Sequence, residues 1–325
     1  MTIALADIQA AAGRLKGLAV ETPLIESPAL NERLGGRVFL KPETLQRAGA
    51  FKFRGAYNRL SQLTDAEKAR GVVAFSSGNH AQGVALAAKL LEIPALIVMP
   101  TDAPSVKVEA TKGFGAEIRF YDRFTEDRVA IADQIAAERG CTVVPSYDDP
   151  RIIAGQGTLG IEIIEQARGL GVELDRVLSP VGGGGLIAGT STAVKGLSKS
   201  TEVWGAEPAG FDETRRSLES GQRETIDKDA RSICDALLTP VPGELTWPIN
   251  SKTLSGIVAV TDAEVAEAMR YAFSVLKLVV EPGGCVALTA ALTGKVDLKG
   301  KTAAIVLSGG NVDPGLFARV LRGEI

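Results

Sequence analysis

Short runs of β-branched and apolar residues alternate along this chain with longer segments whose apolar positions recur at helical spacing. The short runs are Val38-Phe39-Leu40-Lys41, Val72-Val73-Ala74-Phe75, Leu96-Ile97-Val98-Met99, Glu117-Ile118-Arg119-Phe120 and Thr142-Val143-Val144. Arg176-Val177-Leu178, Glu202-Val203-Trp204-Gly205, Gly256-Ile257-Val258-Ala259-Val260 and Thr302-Ala303-Ala304-Ile305-Val306-Leu307 follow. Between them, Gln82 to Leu91, Glu126 to Ala137 and Ala263 to Leu276 carry the helical period, and Pro94, Pro100 and Pro150 punctuate the connections. Such alternation predicts an α/β fold with parallel sheets covered by helices on both faces.

Length and charge narrow the picture. A chain of 325 residues is more than one core usually holds, so two lobes are expected, with room to bury a cofactor. A net charge of -3 with no basic stripe argues against a nucleic-acid partner. Met1 to Asp7 lacks the basic and apolar regions of a signal peptide and no apolar run is long enough to span a bilayer, so a cytoplasmic protein without membrane contact is expected. Cys141, Cys234 and Cys285 are odd in number and far apart, which fits core or pocket thiols better than a disulfide framework or a C-x-x-C site. With His80 as its one histidine, the chain cannot build a multi-histidine zinc centre, and a His-based triad would need unusual partners.

Four segments concentrate the chemistry. Lys52 lies in Gly49-Ala50-Phe51-Lys52-Phe53-Arg54-Gly55-Ala56, while Ser76-Ser77-Gly78-Asn79-His80, Gly182-Gly183-Gly184-Gly185 and Ser308-Gly309-Gly310-Asn311 each follow a strand-like run. The last three are thereby placed at carboxyl ends of strands, where open α/β sheets bind ligands. The tetraglycine precedes the helix-like Ile187 to Val194, so its amides are set to converge on a phosphate at a helix amino end. Four consecutive glycines cost more chain entropy than a simple turn requires. The Ser76 to His80 run precedes the helix-like Gln82 to Leu91 and offers hydroxyls and amides to a carboxylate.

In this order and spacing the four segments resemble the pyridoxal-phosphate-dependent serine/threonine dehydratases, whose fold type is shared by serine racemase and the hydroxyaspartate dehydratases. The resemblance covers essentially the whole chain. It implies a tryptophan synthase β-like architecture (PLP fold type II): two open, mostly parallel twisted sheets flanked by helices. A small domain, 53–147, would be inserted in a large pyridoxal-phosphate-binding domain made of 1–52 and 148–325, with the site in the cleft and a homodimer as the assembly. Lys52 would form the Schiff base with the cofactor aldehyde, a role for an amine that loses its proton near neutral pH in a partly desolvated pocket. Phe51 would flank the ring, Gly182, Gly183, Gly184, Gly185 and Leu186 would hold the phosphate, and Asn79 would lie beside the phenolic oxygen. Ser308 would meet the pyridine nitrogen. A hydroxyl there does not hold that nitrogen protonated, which weakens the electron sink and suits elimination better than transamination.

For the substrate, the resemblance implies Ser76, Ser77, Gly78, Asn79 and His80, with Ser77 on the ring face opposite Lys52. His80 has a second reading as a structural histidine. Arg128 matches a position from which serine racemase-like enzymes bring an arginine toward the substrate, and reads equally as a solvated helix face. Glu207, Phe211 and Glu213 match a Mg²⁺ or Ca²⁺ loop of two acidic side chains and one main-chain carbonyl. Glu213 stands where the family more often has aspartate, and an acidic surface loop is the alternative.

The expected activity is elimination of water from a β-hydroxy-α-amino acid, L-threonine or L-serine, giving a 2-oxo acid and ammonia. The freed Lys52 amine would remove the α-proton, and Ser77 would permit racemisation as a side reaction. Serine racemase and hydroxyaspartate dehydratase are the rivals within the class. Ala50, where most dehydratases carry serine, is also found in hydroxyaspartate dehydratase-like sequences. An amino-acid or pyridoxal-phosphate-binding module without turnover is the rival outside the class, and the intact lysine argues against it. Because the helix-like Pro314 to Arg322 closes the chain at Ile325, no room is left for an effector domain, and a catabolic enzyme of one catalytic unit is expected.

Overall fold

The computed structural model describes residues 3–76, 78–227 and 229–325 and contains every strand expected above. The chain begins with α1 (Leu5–Leu15), β1 (Ile25–Glu26), α2 (Pro28–Leu34) and β2 (Arg37–Pro42), then forms α3 (Lys52–Leu60) and α4 (Asp65–Arg70). A β/α series follows: β3 (Val72–Phe75), α5 (Asn79–Leu90), β4 (Ala95–Pro100), α6 (Ser105–Gly113), β5 (Glu117–Tyr121), α7 (Arg128–Arg139) and β6 (Thr142–Val143). The long α8 (Pro150–Gly169) leads to β7 (Arg176–Pro180), α9 (Gly185–Leu197), β8 (Glu202–Pro208) and α10 (Glu213–Ser220). The remainder is α11 (Trp247–Thr253), β9 (Gly256–Val260), α12 (Asp262–Ser274), α13 (Pro282–Leu292), β10 (Thr302–Leu307) and α14 (Pro314–Leu321).

These strands make two sheets, one of six strands in the order β1-β2-β10-β7-β8-β9 and one of four in the order β5-β4-β3-β6. Every pairing is parallel except that of β1 with β2, a short strand the apolar pattern did not announce. Residues of β10 alternate between two cores: Ala303, Ile305 and Leu307 pack toward α12 and α13, Ala304 and Val306 toward α8 and α9. That two-sided burial is why the strand reads as continuously apolar. Because β10 inserts between β2 and β7, the segments leaving all three strands lie side by side, at the kind of switch point where α/β sheets bind ligands. Among the described residues no helix is long and apolar enough to cross a membrane.

Two features seat α3 against α8, and the first of them seats α9 there as well. On α8, a Cβ at Gly155 would lie 2.6 Å from the Arg54 carbonyl oxygen, and one at Gly157 would lie 2.8 Å from that of Gly189, so only glycine lets α8 meet both helices backbone to backbone. Below the first turn of α3, the buried Arg54 holds Glu43 through two nitrogens, at 2.7 and 2.8 Å, and donates to both oxygens of Glu162. Lys41, also buried, donates to Glu162 and to the Thr22 carbonyl oxygen. Two cations and two carboxylates cancel in this cluster, which anchors the turn carrying Lys52.

Candidate active site

A cavity of about 500 Å³ opens between the two sheets. Every described residue expected to contact cofactor or substrate lines it, from Phe51 and Lys52 through Ser76, Gly78, Asn79, His80 and Arg128 to Gly182–Leu186 and Ser308. Ser77 lies outside the described residues.

Lys52 is the first residue of α3 and its Nζ donates to the Ser146 carbonyl oxygen at 2.7 Å, 5.1 Å from the centre of the Phe51 ring. Burial lowers its pKa to about 8, partly opposed by the nearby Glu281 carboxylate, so near neutrality the amine gives up its proton far more readily than a surface lysine. The Phe51 amide donates to the Ser308 carbonyl oxygen at 3.1 Å, and Ala50 bridges to Gly309, which ties the lysine turn to the end of β10. Ser308 is buried and faces the cavity.

Opposite lies the tetraglycine turn between β7 and α9. Thr246 Oγ1 donates to the Gly183 carbonyl oxygen at 2.7 Å and Asn250 Nδ2 to that of Gly184 at 3.4 Å. Among the described residues the amides of Gly182 to Leu186 have no acceptor, and with the amino end of α9 they form an anion cradle. A Cβ on Gly183 would lie 2.5 Å from the Tyr147 ring, and Gly184 has φ +89°, so both positions require glycine. Thr246 and Asn250, which shape this turn from behind, and Tyr147, which lines the cavity against Gly183, are far from it in sequence and were not among the expected site residues.

Across the cavity, α5 begins at Asn79, whose Nδ2 donates to the buried Glu281 and whose Oδ1 accepts from Asn311. His80 is buried, hydrogen-bonded through Nε2 to the Val144 carbonyl oxygen at 2.9 Å, and held neutral with a pKa of about 3 by burial and by Lys52. It ties the first turn of α5 to the segment after β6, which favours its structural reading. Ser76 Oγ accepts from the Gly78 amide at 3.1 Å. Lys107 on α6, absent from the sequence-based set, is buried and reaches across the cavity to Asp235 at 2.6 Å.

Arg128 opens α7 at the cavity mouth, its guanidinium 5.6 Å from the centre of the Phe75 ring. It is exposed and, among the described residues, forms no salt bridge, so its guanidinium is free to meet an anion at the opening. Arg223 also lines the cavity, with Nε on the Pro242 carbonyl oxygen and Nη1 3.5 Å from Glu244.

Glu207, Phe211 and Glu213 lie outside this cavity and are all buried, which corrects the alternative of an acidic surface loop. Glu207 accepts from the amides of Thr214 at 3.2 Å and Arg215 at 2.9 Å, whereas both carboxylate oxygens of Glu213 lack a partner among the described residues. Burial raises the pKa of both; the Glu207 carboxylate pushes that of Glu213 further up, and Asp212 that of Glu207, so the pair calls for a proton or a cation. No group of three or more His, Cys, Asp or Glu side chains among the described residues is arranged to hold a metal, so any ion here would rest on two carboxylates and main-chain oxygen. The orphaned oxygens of Glu213 fit that role.

Residues 15–309 match the family described as pyridoxal-phosphate dependent enzyme. The chain is 45% identical to an L-threo-3-hydroxyaspartate ammonia-lyase of Pseudomonas sp. over 98% of each chain. It is 41% identical to the serine racemase of Schizosaccharomyces pombe over 97% of this chain and 96% of that protein. Among solved structures, a threonine deaminase from T.th. superposes with a TM-score of 0.90 at 42% identity, over 95% of this chain and 99% of that one.

Proposed function

The chain belongs to the pyridoxal-phosphate-dependent enzymes, and from that premise we propose that it is an ammonia-lyase removing water from a β-hydroxy-α-amino acid, with L-threo-3-hydroxyaspartate as preferred substrate. The observation that carries the reaction class is the Lys52 amine, lowered to about 8, facing a glycine cradle across one cavity. The residues fit the cofactor: an amine for its aldehyde, amides of Gly182 to Leu186 for its phosphate, and the Ser308 hydroxyl for its ring nitrogen. Pyridoxal phosphate, when bound, supplies an electron sink for the substrate's α-carbon. Lys52 Nζ then takes the α-proton, since burial makes the neutral amine accessible. The amino end of α5, with Ser76, Gly78 and Asn79, binds the α-carboxylate. Ser77 keeps the part the resemblance gives it, on the face opposite Lys52.

Threonine and serine, the substrates expected from the resemblance, leave Arg128 without an anion. A β-carboxylate would pair with it, and the hydroxyaspartate ammonia-lyase among the relatives supports that choice. Racemisation is the second reading, supported by the similarity to serine racemase. We take the sheets to mark the two domains, 1–52 with 148–325 and 53–147, and Glu207, Glu213 and the Phe211 carbonyl to take Mg²⁺ or Ca²⁺. We take the assembly to be a homodimer and the protein to be cytoplasmic.

Assaying 2-oxo acid and ammonia from threonine, serine and both hydroxyaspartate diastereomers tests the reading. Lys52→Ala is expected to abolish turnover and visible absorbance together, and substantial turnover by that variant would overturn the reaction class. Arg128→Ala is expected to raise KM for L-threo-3-hydroxyaspartate about 10- to 100-fold, one charge-assisted hydrogen bond, with little change for threonine. Equal losses on both substrates would remove the dicarboxylate preference.

A further inference from the structure

Asn311, Asn79 and Glu281 form a hydrogen-bonded chain whose direction is set from one end. Asn311 Nδ2 donates to the Ala48 carbonyl oxygen at 2.7 Å and to Asn79 Oδ1 at 2.9 Å, and Asn79 Nδ2 donates to Glu281 Oε1. A backbone carbonyl only accepts, so the nitrogen of Asn311 must face it, and that nitrogen in turn can meet only the oxygen of Asn79. The Asn79 nitrogen is thereby turned to Glu281, which offers an acceptor oxygen in either protonation state. One N–H of Asn79 is used there, and the second remains for the cavity that Asn79 lines.

Glu281 is unusually spent for its position. It occupies the N-cap of α13, yet its carboxylate makes no capping bond and instead lies buried against Asn79. Its Oε2 has no hydrogen-bond partner among the described residues, with Lys107 Nζ 3.9 Å away. Glycines clear the path on both sides: a Cβ at Gly309 would lie 2.3 Å from Glu281 Oε1, and one at Gly49 would lie 2.4 Å from Asn311 Oδ1.

We propose that Glu281 and Asn311 are positioning residues that clamp the Asn79 amide so that an N–H, not a carbonyl oxygen, meets the ring oxygen of the bound cofactor. The inference rests on the reading of this cavity as a pyridoxal phosphate site with Asn79 beside that oxygen. A donor there stabilises the ring oxygen as an anion, whereas a turned amide would set lone pairs against it.

The test titrates unloaded protein with pyridoxal phosphate and with its 3-deoxy analogue, which lacks the ring oxygen, and records the absorbance of the loaded forms. Asn79→Ala should weaken pyridoxal phosphate about tenfold, one hydrogen bond to a charged group, and leave the analogue unchanged. Glu281→Ala and Asn311→Ala should each lose part of that factor and together all of it, while Glu281→Gln, which keeps an acceptor, should bind like the parent. The visible band should fall against the near-ultraviolet band in the same order, a ratio that a merely structural role does not move. If Glu281→Gln is as impaired as Glu281→Ala, or if neither Glu281→Ala nor Asn311→Ala discriminates the two ligands while Asn79→Ala does, the clamp is overturned. If Asn79→Ala itself fails to discriminate them, the placement of the ring oxygen is wrong and the premise falls.

Discussion

Two groups of carboxylates, all buried except the partly exposed Glu162, meet opposite electrostatic fates in this protein. Glu43 and Glu162 face Arg54 and Lys41, and although burial pushes Glu43 upward, the Arg54 guanidinium holds it below the usual carboxylate range. Glu207 and Glu213 face each other, and the arginines nearest them, Arg215 and Arg216, are engaged with Asp212. The first group is electrostatically closed and needs nothing from solution. The second is open, and must take up a proton or a cation to stay buried. Removing a partner from the closed group should therefore hurt, and supplying one to the open group should help.

The sharpest break is Arg54→Ala. It strands Glu43 in the interior and releases the first turn of α3, so unfolding free energy should fall by about 3–5 kcal/mol, as when one partner of a buried ion pair is removed. Denaturant titration measures it. A loss below about 1 kcal/mol, the value of an exposed pair, would mean that the cluster is hydrated and the contrast with Glu207 and Glu213 is false.

Next in size is the response to cation. An ion that binds the folded pair alone stabilises by mass action, about 2.7 kcal/mol at a hundredfold excess over Kd. Melting should rise with Mg²⁺ or Ca²⁺ and drop after chelation, and Glu207→Ala should erase the response while leaving cofactor absorbance intact. An unchanged Tm across chelator and excess cation, in protein shown metal-free at the start, would leave the pair as a proton site only.

These contrasts also mark where the sequence could be read. β-Branched runs disclosed every strand of both sheets except the short β1, and Lys52, the tetraglycine and Ser308 stood out because their chemistry is contiguous in the chain. The helix α8 escaped notice because Gly155, Gly157 and Gly160, poor helix formers in isolation, are there for close approach to α3 and α9, which only the packed structure reveals. Tyr147 and Lys107 reach the cavity, and Glu281 reaches Asn79 behind it, from segments with no local signature. Glu207 and Glu213 were legible as an acidic pair, but not as a buried one, since an acidic stretch reads the same whichever side of it faces water.

The smallest expected effect distinguishes a proton from a cation in the open pair. In chelator, both carboxylates have raised folded-state pKa values, while the unfolded chain releases its protons near the ordinary value of about 4.3. The folded state then binds more protons than the unfolded one, so this pair's contribution to stability is fully present below that value and is lost as pH rises toward the raised folded-state values. Glu213→Gln keeps the shape and abolishes one of the two ionisations. In chelator it should flatten the decline and, at the alkaline end, raise stability by about 1 kcal/mol, less than a full pKa unit's linkage because the buried amide brings its own unmet hydrogen bonds. With cation present the same substitution should instead lower Tm, having removed a ligand. A variant that is destabilised equally at both ends of the pH range, with and without cation, would show that Glu213 serves packing alone and that the pair was never open.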